Sequence, residues 1–392
     1  MDFALTPEQT SFRDEVRTWL SRNLPADWTD RMRVGSDVPR PEVYEFLRVW
    51  QRKMYDAGFM GLTWPKEYGG RGLTFMEEMI LQEEIALAKA PPVLNILAIG
   101  MAGPTIIAYG TEEQKRRYPP KMLSCEEIWC QGYSEPNAGS DLANVQTRAE
   151  RDGDQWVVTG QKVWTSLAHW ADWCFVLCRT DRDAAPHRGI SYLLVPMRQP
   201  GIEIRPIVQL TGTSEFNEVF FDGARTDAAN VVGGVNEGWK VAMGTLAFER
   251  GASTLGQQLS FENELADILD LVQKHGRGDD PMLRQRLADA WIRLRIMRYS
   301  ALRSLTALER GEMTTLTSVH KLYWATLHRD LGELAIAALG ADGATVDGAP
   351  YDLSPSQRLF LFSRADTIYG GSNQIQRNVI GERALGLPRG PR

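Results

Sequence analysis

Apolar residues recur every three or four positions in the first third of the chain. In "LTPEQTSFRDEVRTWL", Phe12, Val16 and Leu20 form one stripe, the spacing of an amphipathic helix. The residues before it mark a start: Thr6 as N-cap, Pro7 at the first helical position and Gln9 placed to complete a capping box. "VYEFLRVWQRKMYDAGF" and "FMEEMILQEEIALAKA" repeat the helical period. Between them "GLTWPKEYGGRGLT", dense in Gly and Pro, reads as a loop. The pattern predicts a helical region over about 1–122.

The period then changes. "DQWVVTGQKVWTS", "ADWCFVLCRT", "ISYLLVPM", "IEIRPIVQL" and "NEVFFDG" are short, β-branched and aromatic, with turn residues between them. They predict a small antiparallel β-barrel or sandwich over about 123–227. Helical spacing returns over about 228–392. "ADAWIRLRIMRYSALRSLTALERG" is the longest run and ends at Gly311, and the array reads as a four-helix bundle. The fold class is therefore α+β and multi-domain: helical, β, helical. No βαβ alternation and no GxGxxG after a strand occurs, which argues against a Rossmann protein.

Composition narrows the function. The chain has 392 residues, 43% hydrophobic and 24% charged, as expected of a globular protein with two or three domains. A net charge of −6 with the signs mixed argues against a nucleic-acid binder. Cys125, Cys130, Cys174 and Cys178 make no CxxC pair, and Cys174 and Cys178 flank an apolar run as small buried hydrophobes. The five histidines lack metal-ligand spacing, so no protein-bound metal is expected. With no basic-then-apolar leader and no run of 18 apolar residues, a reducing, cytoplasmic location without a membrane span is expected.

Three stretches carry chemistry. In "CQGYSEPNAGSDLA", Pro136, Gly139 and small neighbours make a tight turn where Ser134, Ser140 and backbone N–H groups converge. Such a turn suits ring oxygens or an anion, and equally a plain connector. In "GQKVWTSLAHWADW", Trp164 precedes Thr165 and Ser166. An indole beside two short hydroxyls suits a planar heterocycle, or a strand-end Trp in the core. In "TIYGGSNQIQR", Gly370 and Gly371 interrupt a helical run at roughly 1 kcal/mol each relative to Ala.

Together and in order, "YSEPNAGSDLA", "GQKVWTS" and "IYGGSNQIQRNVIGERALGLPR" resemble the acyl-CoA dehydrogenase family, and "LTPEQTSFRDEVRTWL" and "GLTWPKEYGGRG" resemble it too. The resemblance covers nearly the whole chain. It implies FAD held between barrel and bundle, with Tyr133 and Ser134 lining the flavin, Trp164 packed beside the ring and Ser166 at its N5 edge. It places Ser140 on the acyl-CoA side, and Ser372 and Gln374 against the FAD tail of a neighbouring subunit. The implied reaction is α,β-desaturation of an acyl-CoA thioester, with an electron-transfer flavoprotein as acceptor and a dimeric or tetrameric assembly, homomeric or heteromeric.

Many family members carry the catalytic base after the Tyr of the C-terminal motif. Here that run is Tyr369, Gly370, Gly371, and the carboxylate is absent. Gly370 still offers a backbone N–H to the thioester oxygen. Isovaleryl-type members carry the base on a bundle helix, and the matching stretch "GWKVAMGTLAFERGASTLG" puts Glu249 and Arg250 on the motif position. Glu249 is the expected base. Arg250, which cannot deprotonate, orients the helix or the site's electrostatics. On a helix Glu249 would neighbour Thr245, Leu246, Ala252 and Ser253, small enough to leave room for a ligand that Tyr369 also meets.

The Arg-x-x-Phe-Gly run of the family is missing from "VQKHGRGDDPMLRQRLADAW", and its Gly-Gly-x-Gly-aromatic loop is reduced to "LGADGA". Both losses touch the FAD tail supplied in trans. They fit a heteromeric enzyme, as in actinobacterial members acting on sterol side chains, or a homo-oligomer that uses Arg284 or Arg286 instead. Two alternatives to a dehydrogenase stay open: a non-catalytic subunit completing a partner's site, and a flavin oxidase or monooxygenase on the same fold.

Overall fold

The computed structural model describes residues 5–28, 41–249, 257–310, 316–346 and 353–389. Helix α1 (Pro7–Asn23) starts as its sequence predicts: the Thr6 hydroxyl accepts the Gln9 amide, and the Gln9 side chain returns to the Thr6 amide. Its buried residues are Phe12, Val16 and Leu20. They pack with Trp50 and Met54 of α2 (Pro41–Asp56) and with Ile80 and Leu81 of α3 (Phe75–Leu87). Each such side chain, once buried, contributes about 1.5–3 kcal/mol. Short helices α4 (Gly103–Tyr109), α5 (Glu112–Arg117) and α6 (Pro119–Leu123) lead to the sheet.

A buried amide pair joins helices to sheet. Gln51 donates to the Met122 and Leu123 carbonyls and accepts the Asn95 amide. Asn95 donates to the Met122 and Glu127 carbonyls and accepts the Trp129 amide at the first strand. All but the bond to Glu127 are buried, so each of those removes a desolvation penalty of about 1–3 kcal/mol.

Among the described residues the sheet has eight strands: β1 (Trp129–Gly132), β2 (Arg148–Asp152), β3 (Gln155–Ser166), β4 (Trp173–Arg179), β5 (Ile190–Pro196), β6 (Ile202–Ile207), β7 (Phe216–Asp227) and β8 (Val231–Val232). Their order is β6-β7-β3-β2-β4-β5-β8, with β1 beside β4. The antiparallel expectation needs correction here. β1 pairs with β4 in parallel, and β2 meets β4 in parallel at Arg148 and Arg179. Alternation of side chains is the same in both pairings, so sequence period cannot tell them apart. The Thr226 hydroxyl of β7 donates to the Leu194 carbonyl of β5, four places away in the order, so the sheet curls.

Strands β4 and β5 are buried on both faces. Phe175, Leu177, Tyr192 and Leu194 join the core shared with the helices. Cys174, Val176, Cys178, Leu193 and Val195 fill the core within the curl. Cys174 and Cys178 are thus the small buried groups the sequence suggests. All four cysteines are free and buried, and burial pushes the Cys125 and Cys178 thiols up to about 12, which leaves them inert at neutral pH.

Helix α7 (Gly238–Glu249) leaves the sheet. The bundle follows with α8 (Gln257–Lys274), α9 (Pro281–Glu309), α10 (Leu316–Leu339) and α11 (Pro355–Asp366), packed around Phe261, Leu265, Leu294, Leu327 and Leu331. Short α12 (Asn373–Val379) follows. α9 ends at Glu309, and Gly311 lies outside the described residues. α10 and α11 approach closely at Gly332, where an added Cβ would stand 2.7 Å from Ser363 Oγ and 2.9 Å from Phe360 Cα. Because one of those atoms is backbone, Gly332→Val should cost about 1–3 kcal/mol and lower the melting temperature. An unchanged melting curve would show that the two helices separate easily.

Candidate functional site

The turn after β1 is built by Glu135 and Ala138, which exchange two backbone hydrogen bonds at 3.0 Å around Pro136 and Asn137. Gly139 and Ser140 lie beyond it, both exposed. The turn is tied to β3 by three bonds. Val163 N–H donates to the Ser134 carbonyl at 2.9 Å. Lys162 Nζ donates to the Tyr133 carbonyl at 3.0 Å and to Glu135 Oε1 at 2.8 Å. Glu135 also accepts the Gln146 and Thr147 amides. Burial pushes the Glu135 carboxyl up, but the Lys162 charge and hydrogen bond, with those two amides, outweigh it and hold it below the ordinary range.

These bonds bring Ser134 beside Trp164. There β3 carries an irregularity against β7 between Lys162 and Thr165, and Trp164 takes φ +61°, a left-handed conformation rare for an aromatic residue. The indole is 58% exposed and touches Phe216 edge-on. A core Trp would be covered, so the reading of Trp164 as a strand-end core residue fails. Strain of about 1–3 kcal/mol held at an exposed aromatic marks a site that the surrounding structure enforces. The Thr165 hydroxyl beside it is buried without a partner among the described residues, and Ser134 and Ser166 are half-buried. An exposed flat face, two half-buried hydroxyls and an orphaned third fit a planar heterocycle with a polar rim. Tyr133 stands under this edge, its ring buried against Phe175 and Tyr192.

The second part lies on the bundle. Gly370 and Gly371, with φ +61° and +87°, turn the chain between α11 and α12. Two successive left-handed residues explain why glycines interrupt this helical run. Gln376 donates to the Gly370 and Gly371 carbonyls, and the Ser372 hydroxyl caps α12 by accepting the Ile375 amide. Ser372 thus has a local use as well as the one expected for it. Gln374 is exposed.

Tyr369 donates to Asp366 Oδ1 at 2.5 Å, and His328 Nδ1 donates to Asp366 Oδ2 at 2.5 Å. His328 Nε2 stands 3.1 Å from Glu264 Oε2. Sequence reading missed Asp366, His328, Glu264 and Lys162. The available signals were Asp366 three residues before Tyr369 and a lysine at an inward position of β3.

Burial pushes the His328 imidazole down, but its bonds to Asp366 and Glu264 and their charges raise it to about 9. A folded value above the unfolded one means that protonation stabilises the fold. That contribution is complete below about 6.5 and disappears as pH rises through about 9. Wild type should therefore lose stability across that window relative to His328→Gln, by on the order of 3 kcal/mol in chemical denaturation. Parallel curves for the two proteins would refute it.

Glu249 ends α7, and its side chain, with Arg250, Ala252 and Ser253, lies outside the described residues. The helix that carries it is fixed: Val241 and Ala242 pack in the shared core, and Thr245, one turn earlier, bonds Thr105 of α4 at 2.9 Å. Arg284 and Arg286 are exposed on α9. Gly340–Ala344 forms a 3-10 turn. Among the described residues no helix is long and apolar enough to cross a membrane, and no cluster of His, Cys, Asp or Glu could hold a metal ion.

Comparison with known proteins gives matches along the chain. Residues 6–126 match the acyl-CoA dehydrogenase N-terminal domain, 130–224 the middle domain and 236–385 the C-terminal domain. The chain is 52% identical to acyl-CoA dehydrogenase IpdE1 of Mycolicibacterium smegmatis, over 97% of this chain and 98% of that one. Its structure is similar to that of the Tcur3481–Tcur3483 steroid ACAD, with TM-score 0.86, 32% identity and 100% of both chains covered. It is also similar to the ChsE4–ChsE5 complex from Mycobacterium tuberculosis, with TM-score 0.82, 31% identity and 100% of both chains covered. The helical, β-sheet and helical domains are those of its relatives: the chain belongs to the acyl-CoA dehydrogenase family.

Proposed function

We propose that this enzyme desaturates an acyl-CoA thioester between its α and β carbons, with Glu249 as the base and a branched or bulky acyl group, such as a sterol side chain, as substrate. The family implies FAD. When bound, FAD supplies the acceptor for the β-hydrogen and its two electrons. Tyr133, Ser134, Trp164 and Ser166 would hold its ring, and Ser372 and Gln374 the tail of a neighbouring subunit's FAD.

Glu249 takes the α-proton on its carboxylate. A free Glu titrates near about 4.3 and is a weak base toward a C–H bond. An apolar acyl chain that displaces water beside it raises its basicity. As the proton leaves, negative charge grows on the thioester oxygen, where the Gly370 N–H donates. Arg250 orients the helix end or the local field, and Ser140 and Tyr369 lie toward acyl-CoA.

The observation that carries this reading is the Tyr369–Gly370–Gly371 turn. Its two left-handed glycines leave no carboxylate where many relatives keep one, and side chains rarely adopt that backbone. The base is then sought on α7, and the emptied position supports a bulky acyl group, as does the likeness to steroid dehydrogenases. The test is anaerobic titration of the yellow protein with straight, branched and sterol-derived acyl-CoA thioesters. Bleaching of the flavin by the bulky members supports the reading; a flavin that none of them bleaches overturns it.

One observation favours a second reading, in which the chain completes a partner's site. The short turn at Gly340–Ala344 lacks the aromatic residue expected beside a trans FAD, and the chain resembles a ChsE4–ChsE5 complex. Flavin per chain, measured alone and with a co-expressed partner, separates the two. Rapid oxygen consumption by the reduced flavin would replace an electron-transfer flavoprotein as acceptor. The buried free cysteines suit a reducing cytoplasm.

A further inference from the structure

We infer that the chain Glu264–His328–Asp366, centred on the buried Asp366 and acting through the Tyr369 hydroxyl, is a positioning device that fixes the turn bearing the Gly370 N–H. The inference rests on the proposed function for its catalytic meaning, because it takes that N–H as the donor to the thioester oxygen. The placement of the turn stands on geometry alone.

The turn leaves the end of α11, where Ile368 and Tyr369 amides both return to the Ala365 carbonyl. Nothing in that local pattern fixes the direction in which the following glycines run, since glycine is permissive in both halves of backbone space. The direction needs an anchor on each side. Downstream, Gln376 holds the Gly370 and Gly371 carbonyls. Upstream, the anchor is Tyr369, whose hydroxyl is held by Asp366 at 2.5 Å.

Asp366 can serve because it is itself immobile. It is 1% exposed, its second oxygen is bonded by His328, and its backbone carbonyl accepts the Lys321 ammonium. A carboxylate so buried is costly unless paired. His328, stacked on Phe261 at 4.3 Å, supplies the pairing charge, and Glu264 of α8 holds its other nitrogen. Helices α8, α10 and α11 thus meet on one carboxylate, and the turn hangs from it through Tyr369. The charged groups facing His328 are Asp366 and Glu264, and the Lys321 ammonium also stands over the Tyr369 ring at 5.5 Å. A misplacement of about 1 Å in a donor can cost on the order of a hundredfold in rate, so such a device would matter to turnover as well as to folding.

The test uses the full chain as Tyr369→Phe and His328→Gln, and their combination. Hydrogen exchange is followed at the Tyr369 and Asn373 amides, which close the turn onto Ala365 and Thr367. Each single variant should exchange at least about tenfold faster there than wild type, while α8 and α9 stay protected. With the best acyl-CoA of the bleaching panel, kcat should fall about 10- to 100-fold at nearly constant KM, and the double variant should fall no further than the worse single one. Turn exchange equal to wild type in both single variants would overturn the inference. So would loosening spread evenly over the bundle, or kcat losses that multiply. If no acyl-CoA bleaches wild type, the proposed function falls while the exchange data still decide whether the chain holds the turn. Tyr369→Phe removes only a half-exposed hydroxyl, so it remains informative if His328→Gln does not fold.

Discussion

Glu249→Gln should leave the flavin bound and slow its bleaching by acyl-CoA by about a thousandfold. The expectation rests on chemistry. Gln keeps the length and shape of Glu, so α7 and its contacts through Val241, Ala242 and Thr245 are untouched. What disappears is the acceptor for the α-proton. General-base catalysis contributes about 10²- to 10⁴-fold, and an amide has no useful basicity in its place. The Gly370 position offers no substitute. Stopped-flow absorbance under anaerobic conditions gives the bleaching rate, and the visible spectrum before mixing gives flavin content. A variant that bleaches as fast as wild type would remove Glu249 from the mechanism. A variant that loses its flavin would instead make Glu249 a structural residue.

The helical parts of the fold were legible wherever one face of one element meets one core. Phe12, Val16 and Leu20 are buried as their spacing predicts, and Thr6 and Gln9 form the expected box. β7 alternates for the same reason. β4 and β5 do not alternate because both of their faces are buried, one against the helices and one inside the curl. Their pairing partners were not legible. Parallel and antiparallel strands share one period, and β1 reaches β4 across more than a turn of chain.

The candidate site shows the same divide. The motif residues Tyr133, Ser134, Trp164 and Ser166 do come to one edge of the sheet. What holds them there was invisible, because Lys162 and Glu135 are 27 residues apart and His328 and Asp366 are 38 apart. Local patterning carries no record of such pairs. The left-handed Trp164 was illegible for a different reason: propensity argues against it, and sites that break local rules are where function is expected to sit.

Lys162→Met should cost about 3–5 kcal/mol at neutral pH and release flavin. Lys162 is fully buried, and its ammonium satisfies Glu135 and the Tyr133 carbonyl at once. Methionine fills the space without charge. It leaves a buried carboxylate with only the Gln146 and Thr147 amides and the Tyr133 carbonyl without that donor. The pH dependence has a definite sign. Glu135 titrates below its ordinary value in the folded protein, so its contribution is present above about 4.3 and lost as pH falls through the folded value. Without Lys162 burial is opposed only by the two amides, so the carboxyl should bind its proton more readily than in wild type, and the deficit of the variant should shrink as pH is lowered toward about 5. Glu135→Gln in the Lys162→Met background removes the stranded charge and should recover part of the stability. Denaturant titration at both pH values, with flavin content on the same samples, gives the answer. The Tyr133–Ser134 segment hangs from this pair, so stability and flavin should fall together. A loss below about 1 kcal/mol with flavin retained would show that Val163 alone holds the turn to β3.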